Sequence, residues 1–180
     1  DEAMSMIKKH IPAPSDTQVQ EKLLKGISRF HDFGVTHIRD LSCTFEQWNA
    51  TVRMYEQGSL NLAIEQFVPI SEVGGLDEAI DLAKRIKKQD IPNVRSSGIK
   101  FYYDGALGSE GALISGHYCS GSGQGLALSD KKELSEYLKK TWENNFIAAV
   151  HIIGDEAFDQ VSEVAVDLWD QGYVGELNLE

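Results

Sequence analysis

The sequence predicts an α/β fold in which parallel strands alternate with helices. Short apolar runs typical of buried strands are separated by segments with apolar residues at helical spacing, and capping residues or glycines mark most junctions. Strict alternation of strand and helix favours parallel strands joined by right-handed crossovers. An open doubly wound sheet and a (β/α)8 barrel both satisfy this pattern.

The elements are predicted in order along the chain. Ser15 or Asp16 can cap a first helix, and Asp130 can cap a later one. Helices are expected over about residues 16–33, 45–57, 76–86, 131–142 and 157–171, and strands over about residues 35–39, 60–68, 98–103, 146–153 and 174–179. A complete barrel needs roughly 200 to 250 residues. This chain of 180 residues can therefore supply about five of the eight strands.

Composition excludes some classes of partner. The formal net charge is −11 and the sequence pI is about 4.9, which argues against nucleic acid and anionic membrane surfaces as partners. No apolar run approaches the roughly 18 residues of a membrane helix. The two cysteines, Cys43 and Cys119, are no disulfide framework, so a reducing, cytoplasmic location is expected.

Polar residues lie near the predicted carboxyl ends of the strands, where parallel α/β folds gather their functional groups. In strand order these residues are His37, Arg39, Asp40 and Ser42, then Glu65 and Gln66, then Lys100 and Asp104, then His151 and Asp155. This set is rich in potential metal ligands and proton carriers.

Lys100 lies inside a predicted strand, between two apolar residues. Side chains alternate along a strand, so Lys100, Tyr102 and Asp104 share one face if the strand stays regular. A lysine on a buried inner face is costly unless it is paired or chemically altered. The alternative places Lys100 on the outer face, where it reaches solvent between helices.

His151 follows the apolar run at residues 146–150, at a strand-to-helix turn. It is either a metal ligand or a structural core histidine. Asp155 has an equally simple alternative as a helix N-cap. The long loop at residues 104–125 holds seven glycines and is predicted to be a flexible active-site lid. His117 and Cys119 within it are weak metal candidates.

Two segments resemble a known family. The run GIKFYYDGALGSEGAL is similar to a Lys-x-x-x-Asp-Gly-Ala-Leu-Gly-Ser segment of amidohydrolase family 3, a branch of the amidohydrolase superfamily. The run VHIIGDEAFDQV resembles its His-x-Ile-Gly-Asp-x-Ala segment, and FGVTHIRDLS is similar to its Gly-Val-Thr strand. N-substituted formamide deformylases belong to this branch. The likeness extends over about residues 15–178.

The resemblance implies a partial (β/α)8 barrel and hydrolysis of C–N bonds in small amide-type substrates. It implies one or two divalent metal ions, with zinc expected and iron or manganese as alternatives. Lys100 becomes a metal-bridging, carboxylated lysine and His151 a metal ligand. Asp104 and Asp155 receive positioning roles beside the metal. Carboxylation would also remove the cost of a buried cation.

Part of the family's pattern is missing. No His-x-His pair occurs in the sequence, and the later metal histidine and general-base aspartate have no counterpart before residue 180. Asp1 is not an initiator methionine, so residues 1–180 are expected to be a single internal segment of a longer, incomplete catalytic domain. The isolated segment is expected to bind metal weakly, to be inactive, and to self-associate through its open strand edges.

Two other functional hypotheses stay open. The chain is alternatively a non-catalytic regulatory or structural module derived from the same barrel. A third hypothesis, an open-sheet small-molecule binder, predicts a closed monomeric fold.

Overall fold

The computed structural model describes residues 6–7 and 10–179, which form two compact units. Of these residues, the first unit comprises 6–7, 10–38 and 45–63, and the second comprises 39–44 and 64–179. In chain order the elements are α1 (Asp16–Asp32), β1 (His37–Asp40), α2 (Phe45–Glu56), β2 (Ala63–Pro69), α3 (Ile70–Val73), α4 (Leu76–Gln89), β3 (Val94–Tyr102), a 3-10 turn (Leu107–Ser109), α5 (Lys131–Glu143), β4 (Ile147–His151), α6 (Asp155–Asp170) and β5 (Leu177–Leu179).

The first unit is built around the helices α1 and α2. Ser15 caps α1: its hydroxyl accepts the Gln18 N–H, and the Gln18 side chain accepts the Ser15 N–H. This reciprocal capping box satisfies two backbone donors at the start of α1. Arg53 of α2 forms an ion pair with Asp16 of α1 at 3.1 Å. The buried residues of the two helices are Ile27, Trp48, Ala50, Thr51 and Met54.

The second unit contains a parallel sheet covered by helices. Strands β2, β3, β4 and β5 are neighbours in sequence order, and each adjacent pair is parallel. Helix α4 packs on β3, and α5 packs on β4 and on α6. The Phe101 ring of β3 stacks on the Tyr137 ring of α5 with 5.5 Å between ring centroids. The predicted alternation of parallel strands and helices is therefore confirmed for this unit.

Strand alternation and register together define an inner face of this sheet. Because Phe101 contacts α5, its neighbours Lys100 and Tyr102 lie on the opposite face. Lys100 is in register with Ala149, and Tyr102 is in register with His151. Paired residues of parallel strands share a face, so the inner face carries Gly98, Lys100, Tyr102, Ala149 and His151. The alternative that placed Lys100 among the helices is wrong.

A bulge adjusts the pairing of β2 with β3. Gln66 pairs with Ser96 and Phe67 pairs with Gly98, which leaves Ser97 as an extra residue. Phe67 then lies directly against Gly98. A Cβ atom on Gly98 would lie 2.3 Å from the Ile147 carbonyl oxygen and 2.6 Å from the Phe67 ring. Only glycine fits at this point of the sheet.

The structure differs from the predicted elements in several places, and β2 and β5 each begin three residues later than predicted. β3 begins at Val94, four residues before the predicted start at Gly98, and the short helix α3 was not predicted. Four residues are too few to show a helical apolar period, which explains why α3 was missed. Within residues 6–7 and 10–179, no helix is long and apolar enough to cross a membrane.

The close contact at Gly98 gives a first prediction. Gly98→Ala should lower the free energy of unfolding by about 1 to 3 kcal/mol, because the added methyl overlaps backbone and ring atoms. Gly26→Ala in α1 is the control, since no atom lies within 4 Å of its Cβ position. That change should stabilise by about 0.5 to 1 kcal/mol. Urea unfolding measures both, and equal effects of the two substitutions would contradict the packing argument.

Candidate functional site

Three side chains meet on the inner face where β3 and β4 end. The Lys100 amine lies 5.4 Å from the centroid of the Tyr102 ring. The same ring lies 5.3 Å from the His151 ring, at an interplanar angle of 44°. Lys100, Tyr102 and His151 therefore form one cluster on two neighbouring strands. We call it the inner-face cluster.

Lys100 is unusual within this cluster because only 3% of its surface is exposed. Its long chain could reach solvent from most strand positions, yet here the amine stays beneath the Tyr102 ring, which is itself 39% exposed. Burial of an ammonium group costs free energy unless it is paired or modified. This position therefore requires a chemical role or a compensating partner for the amine.

The inner face carries a second polar pair at a lower level of the sheet. Arg39 donates from its Nε to Glu65 at 3.0 Å, and its guanidinium lies 5.8 Å from the centroid of the Phe67 ring. Phe67 is in register with Gly98, so this pair belongs to the same face as Lys100. Two of the strand-end candidates thus form an ion pair with each other.

Asp104 lies beyond the end of β3 and is fully buried. Its Oδ1 accepts the Ile153 N–H at 3.0 Å, and its Oδ2 accepts the N–H groups of Gly154 at 2.8 Å and Leu113 at 3.0 Å. The regular alternation that was expected to continue from Lys100 stops at Tyr102. The Asp104 carboxylate joins the glycine-rich loop to the turn between β4 and α6.

Asp155 is the first residue of α6, and the N-cap is Gly154. The alternative role of Asp155 as an N-cap is therefore wrong. Its carboxylate accepts the Ser115 N–H at 3.0 Å and the Ser115 hydroxyl at 2.5 Å. These hydrogen bonds hold the pKa of Asp155 below its ordinary value. Asp155 thus fastens the same loop to the start of α6.

The glycine-rich loop at residues 104–125 is fastened along its first half. Leu113 accepts the Ala157 N–H at 3.2 Å, and a Cβ atom on Gly154 would lie 1.7 Å from the Leu113 carbonyl oxygen. Within the loop, Ile114 donates to Gln124 at 2.8 Å. A lid movement would have to break these bonds. Lid motion therefore stays a prediction for the exposed tip near His117.

The remaining sequence candidates lie elsewhere. His117 and Cys119 are exposed in the loop, Asp40 accepts the N–H and hydroxyl of Ser42, and Gln66 is buried. Cys43 is a buried free thiol, and burial raises its pKa well above the usual value. No group of three or more His, Cys, Asp or Glu side chains suited to a metal occurs in the part of the chain that the structure describes.

The inner-face cluster fits a metal as a partial donor set. An imidazole is a common ligand for transition metals, and a carboxylated lysine would add oxygen donors. Lys100 and His151 occupy adjacent strand tips of one face, with a buried site for the amine. Two donors do not complete a tetrahedral or octahedral shell. The other ligands of such a metal would have to come from residues outside this cluster.

Sequence reasoning missed the partners that make the site rigid. Tyr102 was placed on the face of Lys100, but its ring contact with His151 depends on the register between β3 and β4. Ser115 and Leu113 gave no signal, since loop residues that bind a carboxylate through their backbone carry no motif. Gly154 beside Asp155 was the one local hint of a close backbone approach.

The Asp155 contact predicts a pH dependence. A folded-state pKa below the unfolded value stabilises the fold above about pH 4, and this contribution is lost as the pH falls through the folded-state pKa. Ser115→Ala should therefore destabilise the fold most at neutral pH, and its effect should shrink in acid. Denaturant unfolding at a series of pH values measures this difference.

Ser109→Ala is the matched control, because the Ser109 hydroxyl donates to the Ala106 carbonyl rather than to a carboxylate. Its effect on unfolding should not change with pH. An effect of Ser115→Ala that is constant from neutral pH to below about pH 3 would contradict the assigned role of Asp155.

Comparison with known proteins identifies the family. The family described as "Amidohydrolase family" matches residues 1–177. The protein named "Putative amidohydrolase YtcJ" of Bacillus subtilis (strain 168) is 30% identical over 164 residues, which cover 89% of this chain and 30% of that protein. "Protein LONG AFTER FAR-RED 3" of Arabidopsis thaliana is 26% identical over 177 residues, 91% of this chain and 30% of that protein.

Solved structures show the same fold. Two uncharacterized metal-dependent hydrolases, from Pyrococcus horikoshii OT3 and Pyrococcus furiosus, align with TM-scores of 0.77 and 0.76 at 18% and 19% identity. Each alignment covers 98% of this chain, and 36% and 37% of the respective solved chains. The α/β fold is thus consistent with part of a TIM-type barrel. This chain spans about a third of the length of its relatives and belongs to the amidohydrolase family.

Proposed function

We propose that this chain supplies part of the metal centre of an amidohydrolase that hydrolyses C–N bonds in small amide-type substrates. Lys100 and His151 would be the ligands that it contributes. The observation that carries the proposal is the inner-face cluster: a buried lysine and a histidine lie at adjacent strand tips, and one tyrosine ring contacts both. Membership in the amidohydrolase family supports the class of reaction.

The chemistry follows from the residues that surround the cluster. A divalent metal, when bound, supplies a Lewis acid and lowers the pKa of a water ligand to about 7. His151 would hold such an ion through a ring nitrogen, and Lys100 would hold it through a carbamate oxygen after carboxylation. Carboxylation replaces a buried cation with an anion that the metal neutralises, which removes the cost of burying the amine.

The environment of Lys100 suits this modification. Lys100 is buried, and its amine lies 5.4 Å from the centroid of the Tyr102 ring, so a carbamate at this position would be shielded from bulk water. Zinc is the metal we propose, and the N-substituted formamide deformylases are the branch of the family we propose.

We further propose that the isolated 180-residue chain is inactive. The inner-face cluster offers two donors, and no larger group of His, Cys, Asp or Glu ligands exists among the described residues. The chain also spans about a third of the length of its relatives. The missing ligands and the base that activates water would then lie outside residues 1–180 in the gene product.

Metal content tests the proposed ligands. In the purified gene product that contains this chain, Lys100→Ala and His151→Ala should each lower zinc affinity by more than the roughly 10- to 100-fold typical of outer-shell losses. His117→Ala and Lys131→Ala are the controls, since both side chains are substantially exposed and lie outside the inner-face cluster. Elemental analysis after dialysis against zinc buffers measures the affinity.

The same variants separate the enzyme from a non-catalytic module. Loss of zinc together with loss of C–N hydrolysis in an amide substrate screen supports the enzyme. Wild-type protein that binds zinc through Lys100 and His151, yet hydrolyses no substrate in the screen, would favour a regulatory or structural module. Equal zinc affinity in all four variants would refute the metal centre.

Carboxylation of Lys100 has its own test. Protein incubated with ¹³C-bicarbonate should show one carbamate carbon signal by NMR, which disappears in Lys100→Arg. Arginine keeps the positive charge but forms no carbamate. Lys131→Arg should retain the signal. A signal that persists in Lys100→Arg, or that never forms in zinc-loaded wild type, would contradict the modification.

Self-association of the isolated chain is the third proposal. β5 pairs with β4 along one edge, and its other edge pairs with no strand among the described residues. Ala148 donates to Glu176, so the N–H of Leu177 faces the open edge. Open edges recruit strands from other chains.

The open edge of β5 predicts concentration-dependent oligomers of the isolated chain in light scattering. Leu177→Pro should reduce them, because proline removes an edge donor. Circular dichroism would verify that both proteins are folded. Monomeric behaviour of the folded wild-type chain at high concentration would contradict this proposal.

A further inference from the structure

The buried Asp104 carboxylate joins three separate segments of the second unit. Asp104 itself follows β3, Leu113 lies in the glycine-rich loop, and Ile153 and Gly154 form the turn after β4. All three of its hydrogen bonds are to backbone N–H groups, at 2.8 to 3.0 Å. A buried carboxylate is tolerated only with such compensation, so these segments are held together whenever Asp104 is buried.

The start of α6 adds to this compensation. Gly154 is the N-cap of a helix of 16 residues, and its N–H points at the Asp104 carboxylate. The positive end of the helix dipole stabilises an anion at this place. The Asp104 charge, the turn and the helix therefore form one electrostatic unit. A neutral side chain of the same shape would lose this attraction.

The positions of the bonded residues connect this unit to the inner-face cluster. Asp104 comes four residues after Lys100, and Ile153 comes two residues after His151. Between them, the Tyr103 N–H donates to the His151 carbonyl at 3.1 Å, which extends the ladder between the two chain segments. The chain segments that follow β3 and β4 are thus hydrogen-bonded to each other, close in sequence to Lys100 and His151.

The backbone of Leu113 lies in close contact with Gly154. No side chain fits at Gly154, because a Cβ would overlap the Leu113 carbonyl. The loop therefore lies against the turn at the one residue that leaves room for it. The backbone at Leu113 is therefore in close contact with the turn that follows His151.

We propose that Asp104 is a positioning residue that acts through the backbone of residues 152–154 and fixes His151 relative to Lys100. It also couples the first half of the glycine-rich loop to the backbone segment that follows His151. This inference rests on the proposed function of Lys100 and His151. It assigns to Asp104 a role in geometry, without contact with substrate or metal.

Asp104→Asn tests the role, because asparagine keeps the shape but replaces one acceptor oxygen with a donor group. Asp130→Asn is the matched control. Asp130 also accepts a backbone N–H at a helix start, from Glu133 at 2.7 Å, but it lies outside the Asp104 contacts. Both variants are prepared in the gene product that contains this chain. Metal-free and cobalt-loaded forms of each are compared.

The first readout is amide hydrogen exchange in the metal-free proteins. Asp104→Asn should raise the exchange rates of Leu113, Ile153 and Gly154 at least about tenfold, whereas Asp130→Asn should leave them unchanged. Wild type provides a measurement that needs no variant: these amides should exchange more slowly than the amide of Ser122 in the exposed tip. Unprotected amides in wild type would overturn the inference.

The second readout is the visible spectrum and affinity of bound cobalt(II). Neither would change if Asp104 only stabilised the fold. Asp104→Asn should shift the spectrum and weaken cobalt binding by about 10- to 100-fold. Asp130→Asn should match wild type. Identical spectra and affinities in the two variants would overturn the positioning role, even if Asp104→Asn is the less stable protein.

Failure of the proposed function is distinguishable from failure of this inference. If wild type takes up no cobalt, or if Lys100→Ala and His151→Ala bind it as wild type does, then the metal centre is refuted. A positioning role toward that centre is overturned with it. The exchange rates still show whether Asp104 holds the turn.

Discussion

The parallel register between β3 and β4 determines which side chains can act together in this protein. One step of register along β4 would move His151 to the helix-covered face, and the cluster with Lys100 would not exist. The register is secured by the apolar helix-facing side chains, among them Phe101 against Tyr137. It is also secured by the contact of Gly98 with Phe67 and Ile147. The chemistry of the inner face therefore depends on packing on both faces.

Two charged side chains near the end of β3 are buried. Lys100 is nearly inaccessible, and Asp104 is fully buried only a few residues away. The two groups are compensated in different ways. Asp104 is satisfied by backbone N–H groups that the fold provides, whereas the Lys100 amine lies 5.4 Å from the centroid of the Tyr102 ring, which attracts cations. The backbone contacts of Asp104 favour a structural role for that residue.

Much of the fold was predictable from local signals. The caps at Ser15 and Asp130 appear in the sequence as the side chains that helix starts require, and both were confirmed. Lys100 and His151 could be assigned to strand ends because apolar runs precede or surround them.

The role of Asp155 was harder to predict, since a carboxylate at a helix start suggests a cap, whereas here it binds Ser115 forty residues away along the chain. The same holds for Asp104, whose partners lie nine to fifty residues away. Contacts between residues so far apart in the sequence depend on the tertiary structure, and no periodic pattern in the sequence predicts them.

The proposed function depends on whether one metal ion is held by both Lys100 and His151. Anomalous diffraction from zinc-loaded crystals of the gene product measures this directly. We expect zinc at about 2.0 to 2.1 Å from a ring nitrogen of His151, with a carbamate oxygen of Lys100 in the same coordination shell. Zinc bound at another place, with an unmodified Lys100 amine beneath Tyr102, would contradict it.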